Sequence, residues 1–176
     1  MRHVALLRGI NVGGNNLIKM TALKEAFEDA GFENVATYIA SGNVVFDAQG
    51  PPSALEPKIE KALSKTFGYE ARVLVRSQRQ LGAVLNAAPK RWPDPKSRCN
   101  IIFLKAPLTP KAALAAVPVL KEGVDTVTLG PGALYLGQLL ARMSKSRVSK
   151  IAAMPEYKSM TIRTYQTCAK IRELMD

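Results

Sequence analysis

The chain has 176 residues, of which 47% are hydrophobic and 22% charged, and its formal net charge is +11. This length suits one compact domain or two small halves, and the composition is ordinary for a soluble globular protein. No apolar run approaches the roughly 18 residues that a membrane-spanning helix needs, and the first residues lack the apolar stretch of a signal peptide. We therefore expect a cytoplasmic protein that does not act at a membrane.

The positive charge is concentrated in the second half of the sequence. Residues 1–88 contain 10 Lys+Arg and 8 Asp+Glu, whereas residues 89–176 contain 15 and 6. Such an imbalance favours an anionic partner, with a merely solvated basic surface as the alternative.

The first half alternates strand and helix patterns. Thr21 is the predicted N-cap of one helix, which Gly31 ends, and a second helix starts near Ser53 or Pro57 and ends at Gly68. Apolar and alternating runs predict strands at 3–7, 35–39, 44–47 and 71–76. The resulting order, strand–helix–strand–strand–helix–strand, is that of the ferredoxin-like motif.

The same order recurs after a helix and a connector. Ser77-Gln78-Arg79-Gln80 has the form of a capping box, and the connector up to residue 98 contains Pro93 and Pro95. Further strands are predicted at 99–104, 125–129, 133–136 and 159–162, and helices after Thr109, at 144–154 and at 164–175. We predict an α+β protein of two ferredoxin-like (βαββαβ) halves, 1–77 and 99–176, with largely antiparallel sheets and added helices, joined by the helix and connector of 78–98.

Two loops rich in glycine and asparagine stand next to predicted strands. They are Arg8-Gly9-Ile10-Asn11-Val12-Gly13-Gly14-Asn15-Asn16 and Ser41-Gly42-Asn43. The first lies between a strand and a helix, where exposed N–H groups can bind a phosphate, but its glycine spacing matches neither a Walker loop nor a dinucleotide fingerprint. The alternative is structural, with glycines at positive φ and with Asn11 and Asn43 tying the loops to the backbone.

Few residues have the spacing that catalysis or metal binding requires. The sole histidine, His3, is expected at the exposed end of a strand, and Ser41 lacks the Gly-x-Ser-x-Gly context of a nucleophile. Cys99 and Cys168 lie in apolar patterns and are expected to be buried free thiols. No metal-ligand pair is present, so we expect no metal and no cofactor, and the sequence leans against an enzyme.

The densest basic feature is the segment 142–150, Arg142-Met143-Ser144-Lys145-Ser146-Arg147-Val148-Ser149-Lys150. On a predicted helix, Lys145 and Arg147 together with Arg163 would hold a phosphate, and Tyr157 and Tyr165 could stack on a base. A solvated charged face is the alternative interpretation.

Several of these strings resemble the DUF1697 family of uncharacterised, mainly bacterial proteins. They are Leu6–Gly14, Lys19-Met20, Tyr38–Phe46 and Met160-Thr161-Ile162-Arg163-Thr164-Tyr165. The resemblance covers essentially the whole chain and weakens near the C-terminus, where Thr164 and Gln166 stand in place of two asparagines of the family pattern. It implies a cytosolic α+β protein of ferredoxin-like halves with the two loops as its signature, and it implies no activity.

We interpret the sequence as a binding module for a phosphate-bearing ligand, either nucleic acid or a nucleotide. The alternatives are a small metal-independent enzyme acting on a phosphorylated metabolite, and a homo-oligomeric scaffold. The candidate binding residues are Arg8, Asn11, Gly13, Gly14, Asn15, Lys19, Ser41, Gly42, Asn43, Lys145, Arg147 and Arg163.

Overall fold

The computed structural model describes residues 1–176 and divides them into two compact units. The first unit comprises Met1–Leu81 together with Lys170–Asp176, and the second comprises Gly82–Ala169. These units are defined by packing, whereas the halves 1–77 and 99–176 were predicted from the sequence pattern. The two divisions need not coincide, and the halves stay predictions. No helix combines the length and the apolar character that crossing a bilayer requires.

The first unit contains a four-stranded antiparallel sheet and two helices that cover one of its faces. The elements are β1 (Arg2–Arg8), α1 (Met20–Asp29), β2 (Glu33–Tyr38), β3 (Asn43–Asp47), α2 (Pro52–Phe67) and β4 (Arg72–Ser77). The strand order is β2-β3-β1-β4, and every neighbouring pair is antiparallel. Alternate residues of β1, including Ala5 and Leu7, join Phe27 of α1 and Ile59 of α2 in one buried core.

The helix boundaries of this unit differ in part from the prediction. Lys19 occupies the N-cap of α1, so the prediction that Thr21 caps the helix is wrong, because Thr21 already lies in the first turn. Helix α2 begins at Pro52 and contains Pro57, whereas its predicted end is confirmed by Gly68, which adopts φ 67° at the C-cap.

The second unit contains another four-stranded antiparallel sheet. Its elements are β5 (Ser97–Leu104), α4 (Pro110–Ala116), β6 (Asp125–Gly130), β7 (Ala133–Leu139) and β8 (Met160–Thr164). Two further helices, α3 (Gln78–Asn86) and α5 (Tyr165–Leu174), each have residues in both units. The strand order is β6-β7-β5-β8, again with antiparallel neighbours. The protein is therefore a mixed α+β fold with two four-stranded antiparallel sheets, as predicted.

Two predicted helix starts are confirmed by their hydrogen bonds. At α3 the Ser77 N–H donates to Gln80 Oε1 (3.0 Å) and the Gln80 N–H donates to Ser77 Oγ (3.2 Å), which completes a capping box. At α4 the Thr109 hydroxyl accepts the N–H of Ala112 (3.2 Å), and Pro110 occupies the first helical position.

The predicted α-helix at 144–154 is wrong. The chain between β7 and β8 instead forms three short 3-10 helices, Leu140–Lys145, Val148–Ala153 and Pro155–Ser159, called here the 140–159 segment. The backbone N–H of Arg147 donates to Asp125 Oδ2 (2.9 Å) and that of Val148 to Ser146 Oγ (3.2 Å). Because side chains take up these donors, they are unavailable to an α-helical ladder, and Pro155 limits it further.

Candidate functional site

In the first unit, the side chain of Asn11 joins the two predicted loops. Its Nδ2 donates to the carbonyl oxygens of Ile18 (3.0 Å) and Ala40 (2.8 Å), and its Oδ1 accepts the N–H of Ile18 (2.8 Å). Asn11 itself adopts φ 53°, in the left-handed region that asparagine tolerates better than most residues. Both amide hydrogens are thus bonded to backbone, which leaves little of this side chain for a ligand.

The Ser41-Gly42-Asn43 turn packs directly on the first loop. Asn43 is fully buried, and its Nδ2 donates to the carbonyl of Tyr38 (2.9 Å) and to Ser41 Oγ (3.1 Å). Gly42 has φ 83°, and a Cβ there would lie 2.7 Å from Ile10 Cδ1. Glycine is required here because both the backbone angle and the close approach exclude a side chain.

The other candidate residues of the first unit lie at or near the surface. Gly13, Gly14, Asn15 and Lys19 are exposed, and Arg8 is half-buried. The Asn15 N–H donates to the Val12 carbonyl (3.0 Å) and closes a turn at the loop tip. The structure therefore joins Asn11 to the Ser41–Asn43 turn, while the Gly13–Asn15 tip lies in solvent.

A cavity of about 600 Å³ in the first unit is lined by other residues. They include Met1, Phe32, Asp47 and Lys58, and none of the candidate loop residues. His3, two residues after the cavity-lining Met1, lies in β1 and is fully buried. The prediction of an exposed His3 is therefore wrong. It is covered because its ring stacks on Phe46 (centroids 5.7 Å apart), and burial lowers its pKa.

In the second unit, a cavity of about 590 Å³ is lined by strands of the sheet and by the 140–159 segment. This volume falls within the range of about 300–1,000 Å³ that is usual for small-molecule pockets. Leu136, Val148 and Ile162 contribute apolar surface. The polar lining residues are Arg98, Asn100, Gln138, Ser146, Ser149 and Thr164.

Exposed cations alternate in sequence with residues that line this cavity. Met143, Ser146, Val148 and Ser149 line it, and the residues between and beside them include the exposed side chains of Arg142, Lys145, Arg147 and Lys150. None of these four cations forms a salt bridge within the protein. No salt bridge therefore neutralises their charge, and they can interact with an anion bound near this segment.

A buried carboxylate holds the 140–159 segment against the sheet. Asp125 Oδ2 accepts the N–H groups of Lys121 (3.0 Å) and Arg147 (2.9 Å), while Oδ1 is buried without a hydrogen-bond partner. Burial raises the pKa of Asp125, but the Arg147 amide, the Ser146 hydroxyl and the Lys121 amide together outweigh it and hold the pKa below its usual value.

Arg163 is not part of this arrangement. It pairs with Ile101 in the sheet, whereas Ile162 and Thr164 on either side of it line the cavity, so its side chain lies on the opposite face. Burial lowers the pKa of Arg163 to about 10, and its Nη1 donates to the Ile162 carbonyl (2.9 Å). The structure therefore does not bring Arg163 together with the cavity that the 140–159 segment lines.

Most of the chain matches a known protein family. A model of DUF1697, described as a protein of unknown function, matches residues 1–135. The chain belongs to the DUF1697 family. Among solved structures it is similar to that of the conserved bacterial protein SP0830 from Streptococcus pneumoniae, with 27% identity and a TM-score of 0.87 over 99% of this chain and 98% of that chain. No match was found among curated proteins.

The family match in this DUF1697 protein ends within β7. It includes the two loops of the first unit, whereas Lys145, Arg147 and Arg163 lie beyond residue 135. The resemblance proposed for the whole chain is thus shown by the family model only over 1–135, and the similarity to the streptococcal structure extends to the rest.

Three residues of the second unit were not predicted as site residues, although they form hydrogen bonds with one another or with the 140–159 segment. Asn100, Gln138 and Asp125 are all buried, with at most 8% of their surface exposed. Asn100 and Gln138 stand at buried positions of predominantly apolar strands, which is an available signal because buried polar groups need partners. No group of three or more His, Cys, Asp and Glu side chains in the structure could hold a metal ion.

Proposed function

We propose that this DUF1697 protein binds a phosphate-bearing ligand in its second unit, at the cavity lined by the 140–159 segment. The single observation that carries the proposal is the coincidence of a roughly 590 Å³ cavity with exposed cations, which form no salt bridge, on the segment that lines it. Arginine and lysine bind phosphate through charge-assisted hydrogen bonds, which are about twice as strong as neutral ones.

Arg98 extends the cationic surface to the sheet side of the cavity. It is exposed, lines the cavity from β5, and is paired across the strands with Gln138. Together with Arg147 and Lys150 it would place positive charge on two sides of a bound anion.

The loops of the first unit have a different role in this proposal. The hydrogen bonds of Asn11 and Asn43 to backbone support the structural alternative for these two residues. Arg8, Gly13, Gly14, Asn15, Lys19, Ser41 and Gly42 stay candidates for a second contact.

The test is binding of inorganic phosphate, ribose 5-phosphate, adenosine monophosphate and a mixed-sequence RNA oligonucleotide, measured by calorimetry at about 50 mM salt. A variant with Arg142, Lys145, Arg147 and Lys150 changed to alanine should lose binding by at least tenfold. The matched control changes Lys61, Lys65, Arg79 and Lys111, which are also exposed, so that the net charge falls equally. Equal loss in both variants, or no binding to the wild type, would contradict the proposal.

Salt dependence separates a nucleic acid from a small ligand. Binding to a nucleic acid should weaken steeply with salt, because each neutralised phosphate releases a counterion. A mononucleotide carries one phosphate and should show a much shallower dependence.

We further propose that both units are variants of the ferredoxin-like motif and that the protein is bacterial and cytoplasmic. The strand orders β2-β3-β1-β4 and β6-β7-β5-β8 support the first point, with the 140–159 segment in place of the second helix in the latter unit. The similarity to a streptococcal protein and two buried free cysteines support the others. Self-association stays a prediction, which light scattering tests.

A further inference from the structure

The wall of the cavity in the second unit contains an asparagine with unused hydrogen-bonding groups. Asn100 is 8% exposed, and its side chain makes one long hydrogen bond, from Nδ2 to Gln138 Oε1 (3.5 Å). Buried polar side chains are ordinarily fully hydrogen-bonded, so one that is not requires an explanation. Because Asn100 lines the cavity, its Oδ1 and its second Nδ2 hydrogen are available to an occupant.

Neighbouring hydrogen bonds fix the orientation of this amide. Gln138 Nε2 donates to Ser146 Oγ (2.9 Å) and to Met143 Sδ (3.4 Å), which commits its amide hydrogens and turns Oε1 toward Asn100. Ser146 is itself held because its hydroxyl also accepts the N–H of Val148 (3.2 Å). Asn100 must therefore present an amide hydrogen to Gln138, and its Oδ1 and other amide hydrogen make no hydrogen bond within the protein.

The surface beside the amide is apolar and flanked by cations. Leu136, Val148 and Ile162 line the cavity and offer van der Waals contact to a flat ring, and Arg98 and Arg147 lie at or next to its lining. An occupant that uses all three features is planar, has a donor and an acceptor side by side on one edge, and carries an anionic group.

We infer that the cavity takes a mononucleotide, with Asn100 recognising the edge of its base. This inference rests on the proposed function, because the cations would bind the phosphate in both. Asparagine forms a bidentate pair with the N6 and N7 groups of adenine, which makes an adenine nucleotide the expected ligand. A nucleic-acid strand, by contrast, would rest on the exposed cations without filling the cavity.

The test compares adenosine monophosphate with ribose 5-phosphate, which has the same phosphate and sugar without the base. The wild type should bind adenosine monophosphate about 5- to 150-fold more tightly, the discrimination that a bidentate pair supplies. Asn100→Leu should reduce this preference to the smaller one that the apolar contacts of the ring supply, because the substitution removes the hydrogen bonds to the base edge and keeps those contacts. Asn86→Leu, at an exposed position of α3, is the matched control and should change neither affinity.

A second measurement does not depend on how well the variant folds. Addition of adenosine monophosphate to the wild-type protein should shift the NMR signal of the Asn100 side-chain amide, and ribose 5-phosphate should not. Equal affinity for the two compounds, or an unshifted Asn100 amide, would overturn the inference and leave the proposed function standing. Absence of binding to either compound and to phosphate would overturn the proposed function itself.

Discussion

The two units use amide side chains in opposite ways. In the first unit Asn11 and Asn43 donate to backbone carbonyls of residues next to the loops, at distances of 2.8–3.0 Å for these bonds. In the second unit Asn100 makes one hydrogen bond of 3.5 Å and faces a cavity. A conspicuous glycine and asparagine motif can thus serve the fold, whereas a single inconspicuous asparagine within an apolar strand remains available to a ligand.

The two kinds of amide should respond differently to mutation. Residues whose polar groups are consumed inside the protein should change stability when they are replaced. Residues whose groups face solvent or a cavity should change binding and leave stability nearly unaltered.

The largest effect is expected for Gly42→Ala. The new Cβ would lie 2.7 Å from Ile10 Cδ1 and 2.9 Å from Leu7 Cβ, at φ 83°. Overpacking and the left-handed backbone together should lower the free energy of unfolding by about 2–5 kcal/mol, measured by chemical denaturation. Gly13→Ala is the control, since φ is 58° but nothing lies within 4 Å, and it should cost about 1–2 kcal/mol. Equal losses would show that the turn does not depend on close packing.

A smaller loss of stability is expected for Asn11→Ala. The substitution leaves the Ile18 N–H and the carbonyls of Ile18 and Ala40 without their partner, at a cost of about 1–3 kcal/mol in thermal or chemical unfolding. Asn15→Ala removes an exposed amide of the same loop that makes no side-chain hydrogen bond, and it should change stability by less than about 0.5 kcal/mol. If Asn11→Ala were as neutral as Asn15→Ala, the structural role of this amide would be refuted.

Asp125→Asn tests the carboxylate that holds the 140–159 segment. Folding lowers the pKa of Asp125, so its contribution is present above the unfolded-state pKa of about 3.9 and is lost as the pH falls through the folded pKa. The variant should be less stable than wild type by about 1–2 kcal/mol at pH 7, and the difference should shrink in acid. Asp29→Asn, at an exposed position without an ion pair, is the control. A difference that persists unchanged at pH 2 would contradict this account.

The smallest effect on stability is expected for Lys145→Ala and Arg147→Ala. Both side chains are exposed and neither forms a salt bridge, so each substitution should alter the free energy of unfolding by less than about 0.5 kcal/mol. Each should nevertheless weaken phosphate binding measurably by calorimetry. A stability loss comparable to that of Asn11→Ala, with unchanged phosphate binding, would contradict the claim that these cations serve binding and not stability.

Much of the fold could be predicted from the sequence, because its elements follow local rules. Alternating strands and the caps at Ser77 and Thr109 depend on residues close together in the chain. The 140–159 segment could not be predicted, since its form depends on Asp125, which is distant in sequence and accepts the Arg147 N–H. The signals of local charge and periodicity favoured a helix there, and tertiary hydrogen bonds overrode them.

The candidate site was predictable only in part, for a similar reason. The basic residues Lys145 and Arg147 are visible as a charge cluster, but the partnership of Asn100 with Gln138 arises from the pairing of β5 with β7. Arg163 is in the same basic run, yet strand alternation directs it to the other face of the sheet. Sequence spacing alone gives no register, and register decides which side chains face the cavity.

The most direct test of the central claim is an NMR titration of the wild-type protein with adenosine monophosphate at about 50 mM salt. The account predicts concentration-dependent shifts at Arg98, Asn100 and residues 142–150, with little change at 8–19 and 39–43. Shifts confined to the two loops of the first unit, or none at any residue, would contradict it.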